Sequence, residues 1–140
     1  ARQFGAHFTV DASQTDPVEA VKSFTERGYG ADVAIDATGS AKVWEKAILM
    51  VRKGGLALLF GGCKHGSTIE VDTSLLHYSE LTIKGIYHLT PYYAQKAFGM
   101  IVSGLIDAQK FITADMPLSQ LLQALNLMDN KQGIKYNIVS

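Results

Sequence analysis

The 140-residue sequence predicts an α/β fold built on a doubly wound parallel sheet. Three observations support this prediction. From residue 7 to residue 60, short apolar segments alternate with segments of helical period, in the order strand, helix, strand, helix, strand. The last strand segment, Leu56–Phe60, is continuously apolar, as in strands covered on both faces. The connections are short, which favours βαβ units with right-handed crossovers.

The first strand and helix are predicted from local residue types. His7–Asp11 is short, β-branched and aromatic, which is typical of a strand. Asp16 is placed as the N-cap of a helix and Pro17 as its first residue, since proline there already has the helical φ. Gly28 and Gly30 are expected to end this region.

The second strand is predicted over Ala31–Asp36, followed by a tight turn over residues 37–40. An apolar stripe that runs from Val43 to Val51 then indicates a second helix. Gly54 and Gly55 are expected to close that helix before the strand at Leu56–Phe60.

The second half of the chain departs from this rhythm after a loop over residues 61–67. A turn of helix is predicted at Ser74–Tyr78 and a strand at Leu81–Tyr87. Thr90-Pro91 again has the cap-then-proline pattern, so a helix is expected from there to Gly104. A further helix over Leu118–Met128 and a terminal strand over Ile134–Val139 complete the prediction.

Composition narrows the possible partners. Acidic and basic residues number 13 each, so neither a nucleic acid nor an anionic membrane surface is expected to bind. No apolar stretch approaches the roughly 20 residues of a membrane span. Cys63 is the only cysteine, which rules out an internal disulfide and fits a reducing, cytoplasmic location.

The most informative pattern is an ordered succession of short segments: Ala31–Gly39, Val51–Gly55, Leu58–Gly62 and Leu75–Gly85. In order and spacing it resembles the second half of the cofactor domain of zinc-dependent medium-chain alcohol and polyol dehydrogenases. The resemblance covers essentially the whole chain and leans toward the sorbitol and threonine dehydrogenase branch.

The resemblance implies a Rossmann cofactor domain over residues 1–87, lacking its first two strands, and a C-terminal segment of the catalytic domain over residues 88–140. It implies a full-length parent that transfers hydride between NAD or NADP and a secondary alcohol or polyol, assisted by zinc. Because family members commonly join their cofactor domains, a homo-oligomer is also expected.

Several functional parts of that family do not occur in these residues. The G-x-G-x-x-G turn is absent, as are the cysteine, histidine and acidic ligands of the catalytic zinc. The chain is therefore expected to hold no zinc and no catalytic residue, and to reduce no NAD with alcohol when isolated. In the dinucleotide-binding strand order, the missing strands lie between His7–Asp11 and Ala31–Asp36, so the isolated chain should be unstable, rearranged or completed by a partner.

Cofactor-binding residues are carried over by position. Ala37, Thr38 and Gly39 follow the second strand and would pass beside the adenosine and its ribose. The alternative is a plain strand-to-helix turn in which Thr38 or Ser40 caps the helix at Ala41.

Phe60, Gly61 and Gly62 end the next strand, where the family places the nicotinamide ring and where glycine lets the backbone approach a flat ring. The alternative is a loop that needs positive φ.

Two further sets follow from the resemblance. Ile86, Tyr87 and His88 would bind the carboxamide through main-chain groups, so their side chains need not match. Lys135 stands where some relatives carry an arginine that meets the pyrophosphate, although lysine supplies charge without a bidentate fork.

Other polar residues are interpreted without a catalytic role. Cys63 and His65 give only two potential ligands, short of the three protein ligands of a catalytic zinc. His77 and His88 are interpreted as packing or surface histidines, and Asp36, an acid at a strand end, as a turn former.

Three alternative functions remain. A zinc-independent quinone or enoyl reductase would share this half of the cofactor domain. A non-catalytic module could self-associate through the edge strand at Leu81–Tyr87. A different nucleotide binder, such as a methyltransferase, would leave Val51–Gly55 and Leu75–Gly85 unexplained.

Overall fold

The structure, a computed structural model, describes all 140 residues, which form two units, Ala1–His88 and Leu89–Ser140. The first unit contains α1 (Pro17–Ser23), β1 (Ala31–Asp36), α2 (Ala41–Met50), β2 (Val51–Leu59), α3 (Thr73–Tyr78) and β3 (Thr82–Gly85). The second contains α4 (Pro91–Val102), β4 (Ile112–Pro117), α5 (Leu121–Asp129) and β5 (Lys135–Val139). Every strand pairing is parallel, which confirms the predicted α/β class.

The sheet of the first unit has the order β1-β2-β3, and Ile35 pairs with Leu58, which pairs in turn with Lys84. Helix α2 connects β1 to β2 and packs against both strands. Its contact with the sheet forms a small apolar core of Ala34, Ala47, Val51 and Leu59, against which Trp44, Met50, Leu81 and Ile83 pack.

Both predicted helix starts are confirmed. The carboxylate of Asp16 accepts hydrogen bonds from the amides of Val18 (2.8 Å) and Glu19 (3.2 Å) at the start of α1. The hydroxyl of Thr90 accepts one from the amide of Tyr93 (3.3 Å) at the start of α4. These bonds satisfy amides that have no partner within the helix.

The predicted strand at His7–Asp11 is wrong. These residues join no sheet, and β1 has a neighbour only on the β2 side. A strand exists only with a partner for its backbone groups. The residue types of this segment suit a strand, but the chain supplies no neighbour for it.

The boundary between α2 and β2 also differs from the prediction. The helix ends at Met50 and the strand begins at Val51, so Gly54 and Gly55 lie inside the strand instead of closing a helix. Val51 pairs with Ala31, and the register then shifts before the regular pairing begins. Gly54 and Gly55 lie in this irregular part of β2. Glycine is uncommon inside a regular strand, so the sequence pattern did not predict a strand there.

Smaller corrections concern the strands and helices that follow. Strand β3 is shorter than the predicted Leu81–Tyr87, and β5 begins one residue after Ile134. Residues Leu118–Gln120 form a turn of 3₁₀ helix before α5. Strand β4 was not predicted, because its six residues contain no apolar run. In the structure only Met116 of the strand is buried.

In the second unit, β4 and β5 form a two-stranded parallel sheet. The hydroxyl of Thr113 accepts a hydrogen bond of 2.7 Å from the amide of Ile134, which holds the start of β5 against β4. None of the helices in either unit has the length and apolar character needed to cross a membrane.

Candidate functional site at the carboxyl ends of the strands

Three predicted segments follow the three neighbouring strands of the first unit. Since parallel strands end at the same edge of a sheet, these segments emerge side by side. The amides of Phe60 and Gly61 donate to the carbonyl of Asp36 at 2.9 and 3.0 Å, and the amide of Ile86 donates to the carbonyl of Leu59 at 3.1 Å. One edge therefore brings together Ala37, Thr38, Gly39, Phe60, Gly61, Gly62, Ile86, Tyr87 and His88.

Lys135 is placed separately. It is the first residue of β5 in the second unit and is exposed. Its amide lies 3.4 Å from the hydroxyl oxygen of Thr113. The expected contact between Lys135 and the pyrophosphate of the cofactor stays a prediction.

Asp36 organises the turn after β1. It is only 2% exposed, and its carboxylate accepts hydrogen bonds from the Thr38 hydroxyl (2.7 Å), the Thr38 amide (3.1 Å) and the Gly39 amide (3.1 Å). The Thr38 hydroxyl oxygen in turn accepts from the amide of Ser40 at 3.2 Å. The Ser40 side chain makes no capping bond at the start of α2. The turn is therefore built around the acid and not around a hydroxyl cap.

These contacts set the charge of Asp36. Burial acts to raise the pKa of its carboxyl group, but the hydrogen bonds from Thr38, Gly39 and Trp44 together hold that pKa below its ordinary value. The acid is thus ionised near neutral pH, with its charge occupied by donors from the chain itself. The Asp36 carboxylate therefore acts as an acceptor within the turn and is not a free base.

Trp44 connects this turn to the next loop. Its indole N–H lies 2.9 Å from the Asp36 carboxylate and 3.0 Å from the carbonyl oxygen of Gly61. Trp44 was predicted only as part of the apolar stripe of α2. The signal that could have identified it is the need of a half-buried indole for a hydrogen-bond acceptor, combined with an acid at a nearby strand end.

Glycine is required where the two loops meet. A Cβ atom at Gly61 would lie 2.7 Å from both the Asp36 carboxylate and the Thr38 amide, and would clash with the Gly39 amide. Gly39 has φ +72° and faces the carbonyl of Gly62. Neither Gly61 nor Gly62 has positive φ, so the positive-φ explanation of this pair is wrong. What approaches Gly61 is the neighbouring loop.

The outer side of this edge is open. Nothing lies within 4 Å of a Cβ atom built on Gly62, and the side chain of Phe60 is 57% exposed. Tyr87 is 92% exposed and stacks on His88 with ring centroids 5.3 Å apart. His88 has φ +65°, a conformation that is uncommon outside glycine. The edge thus presents backbone and aromatic surface to which a flat ring has access.

The residues of the chain do not fit a zinc site. No three His, Cys, Asp or Glu side chains come together in a group that could hold a metal ion. Two protein ligands are too few for catalytic zinc.

A separate cleft lies at the opposite, amino-terminal end of β2. Its volume is about 610 Å³, and its lining includes Leu49, Val51, Arg52, Lys53 and Leu75. Arg52 there forms an ion pair of 2.6 Å with Asp32. None of the predicted cofactor-binding residues lines this cleft.

An open edge at the carboxyl ends of parallel strands, with helices between the strands, is the arrangement of nucleotide-binding α/β domains. Residues 1–103 match the family model described as zinc-binding dehydrogenase. The chain belongs to this family, as the sequence resemblance predicted.

Individual relatives agree with that assignment. The chain is 31% identical over 141 residues to the erythritol/L-threitol dehydrogenase of Mycolicibacterium smegmatis, covering 99% of this chain and 38% of that protein. Other relatives are named L-threonine 3-dehydrogenase and sorbitol dehydrogenase, which confirms the predicted branch.

Solved structures show the same fold. The alcohol dehydrogenase TADH from Thermus sp. ATN1 superposes with a TM-score of 0.90 at 24% identity, covering 99% of this chain and 40% of that one. A structure from Sinorhizobium meliloti 1021, assigned as a zinc-binding dehydrogenase and bound to NADP, superposes with a TM-score of 0.81 at 24% identity, covering 89% and 36%. The chain therefore spans about two fifths of the length of these relatives.

Proposed function

We propose that the chain supplies the nicotinamide side of the cofactor crevice in an NAD(P)-dependent alcohol or polyol dehydrogenase. The observation that carries this proposal is the convergence of three loops at one open sheet edge, after Asp36, Leu59 and Gly85. Ligands of doubly wound sheets bind in the crevice outside the carboxyl ends of the strands. Family membership and the NADP in a structural neighbour support the choice of a nicotinamide dinucleotide.

The geometry of the edge fits such a cofactor. The bound nicotinamide ring would supply the hydride chemistry. The chain's own part is to hold backbone groups and the Phe60 ring around it, with the Asp36 carboxylate ordering the turn after β1. The zinc that polarises the alcohol oxygen in this class would be held by residues outside this chain.

The substrate class follows from the relatives. The erythritol/L-threitol and sorbitol dehydrogenases act on polyols by name, which favours a secondary alcohol or polyol as substrate. A cytoplasmic location and a homo-oligomer joined through the cofactor domain belong to the same proposal, as does either NAD or NADP as the cofactor.

Titration of the ¹⁵N-labelled chain with NADH, NADPH and AMP, followed by amide chemical shifts, tests the proposal. We expect weak binding of both reduced dinucleotides, with the largest shifts at Thr38, Gly39, Gly61, Gly62 and Ile86. AMP, which lacks the nicotinamide ring, should leave Gly61 and Gly62 unchanged. Shifts confined to the cleft at Leu49 and Arg52, or none at millimolar ligand, would contradict the proposal.

The same samples test for turnover. Because no group of three metal-ligating side chains forms in this chain, the isolated chain should show no polyol-dependent reduction of NAD or NADP. Measurable turnover by the isolated chain would overturn the division of roles between this chain and the rest of the enzyme.

A further inference from the structure

Trp44 and Asp36 add a side-chain link between two loops that backbone hydrogen bonds already join at Asp36. Trp44 lies eight positions after Asp36 in the sequence, and Gly61 lies 17 positions after Trp44. A single N–H, at 2.9 Å from the carboxylate and 3.0 Å from the Gly61 carbonyl, is shared between the two loops. Any change at this N–H therefore affects both loops together.

The acid has more hydrogen bonds than a turn alone requires. Its carboxylate binds the amides of Thr38 and Gly39, and its own carbonyl accepts from the amides of Phe60 and Gly61. The side-chain carboxylate and the main-chain carbonyl of Asp36 thus both bind backbone amides at the sheet edge. Hydrogen bonds to a charged group are shorter and stronger than those between neutral groups.

The indole fixes a part of the second loop that the sheet does not. Beyond Leu59 the β2–β3 pairing ends, and the carbonyl of Gly61 has Trp44 as its donor. Gly61 also lacks a Cβ atom, because its position is filled by the first loop. The orientation of this peptide therefore depends on the indole and on close packing, and not on strand pairing.

We infer that Asp36 and Trp44 are a positioning pair that sets the relative orientation of the two cofactor-facing loops, and that neither touches the cofactor. This inference rests on the proposed function. Without the indole N–H, the chain should keep its sheet but lose the alignment of Gly39 and Gly61 on which dinucleotide affinity depends.

The test uses Trp44→Phe, which keeps an aromatic ring in α2 and removes the donor. Lys42→Gln, on an exposed position of the same helix, is the matched control. Amide hydrogen exchange should accelerate about tenfold to a hundredfold at Gly39 and Gly61, the factor that corresponds to one hydrogen bond to a charged group. Exchange at the buried Ala57 in β2 should stay within about threefold of the wild type.

NADH titration of the same variants separates positioning from stability. We expect the dissociation constant for NADH to rise at least about tenfold in Trp44→Phe and to stay unchanged in Lys42→Gln. The double variant that combines Asp36→Asn with Trp44→Phe should lose less affinity than the sum of the losses in the two single variants. Faster exchange with unchanged NADH affinity would assign the pair a structural role only and overturn the inference while leaving the proposed function intact.

Two other outcomes complete the test. Absence of NADH binding by the wild-type chain would overturn the proposed function and, with it, the positioning role. If Trp44→Phe does not fold, the wild-type indole N–H itself is measured: rapid exchange of its proton with solvent would overturn the inference, and slow exchange with a shift on NADH addition would support it.

Discussion

At the residue scale, the candidate site depends on a buried acid that is satisfied by its own chain. Asp36 was predicted as a turn former because it is an isolated acid at a strand end, and its bonds to Thr38 and Gly39 agree with that interpretation. Its partnership with Trp44 was not predicted, since helical periodicity places the indole on an apolar stripe. Periodicity describes which face a side chain occupies but carries no information about its polar atom.

The charge of Asp36 predicts an acid sensitivity. Its pKa in the folded chain lies below the ordinary value of about 3.8, so its contribution to stability is complete above that pH and is lost as the pH falls through the folded-state value. Asp36→Asn places an amide group against backbone and indole donors. It should cost about 1–3 kcal/mol of unfolding free energy at neutral pH.

Urea unfolding at a series of pH values checks this prediction. The difference between Asp36→Asn and the wild type should shrink as the pH falls below about 3.8. Asp11 and Asp16 also have lowered pKa values, so the variant retains part of the acid transition. Asp32→Asn, at an exposed ion pair with Arg52, is the control and should change the free energy by less than about 1 kcal/mol. A difference that is constant with pH would rule out the ionised form as the cause.

At the scale of elements, the sequence predicted best where a local signal sets a boundary. Asp16 and Thr90 cap α1 and α4 as expected, because a cap is decided within four residues. The start of β2 at Val51 is decided by its pairing with Ala31, 20 residues away in sequence, and the failure of His7–Asp11 to form a strand is decided by a missing neighbour. Both depend on partners that a local pattern does not describe.

The meeting of the loops after β1 and β2 gives a prediction about glycine. Gly61→Ala forces a Cβ atom to within 2.7 Å of the Asp36 carboxylate and the Thr38 amide, so the loops must separate. The variant should lose about 1–3 kcal/mol of stability, the usual cost of overpacking.

Gly62→Ala is the matched control, one residue further on. No atom lies within 4 Å of its added Cβ and its φ is not in the positive region, so thermal unfolding should match the wild type. Equal effects of the two substitutions would contradict the close packing of the loops.

At the scale of the whole molecule, the chain buries little of its apolar surface. Its accessible surface is 10833 Å², whereas a compact monomer of this mass exposes about 7,100 Å² and two separate compact units of these sizes roughly 8,500 Å². Half of the ten buried apolar residues are alanines. The expected instability of the isolated chain stays a prediction, and the expected gap in the sheet does not arise because His7–Asp11 forms no strand.

The outer face of β1 allows this exposure to be tested. Val33 and Ile35 are 49% and 63% exposed on a strand whose far edge has no partner. Ile35→Thr keeps a β-branched residue and should change the free energy of unfolding by less than about 0.5 kcal/mol, while reducing dye binding and self-association.

Sedimentation velocity and the emission of a hydrophobic dye measure this effect. Ala57→Thr introduces the same side chain at a position that is 0% exposed and should instead destabilise the chain. If self-association is unchanged in Ile35→Thr, the exposed face of β1 is not the surface through which the chain self-associates.

The shared hydrogen bond of Trp44 also has an optical consequence. Trp44 is the only tryptophan of the chain, and its indole lies between the two loops that close the proposed crevice. Its emission spectrum therefore responds to local opening of this edge, and a reduced nicotinamide ring, which absorbs where indole emits, would quench it on arrival. One unlabelled chain thus carries a fluorescent probe of both events.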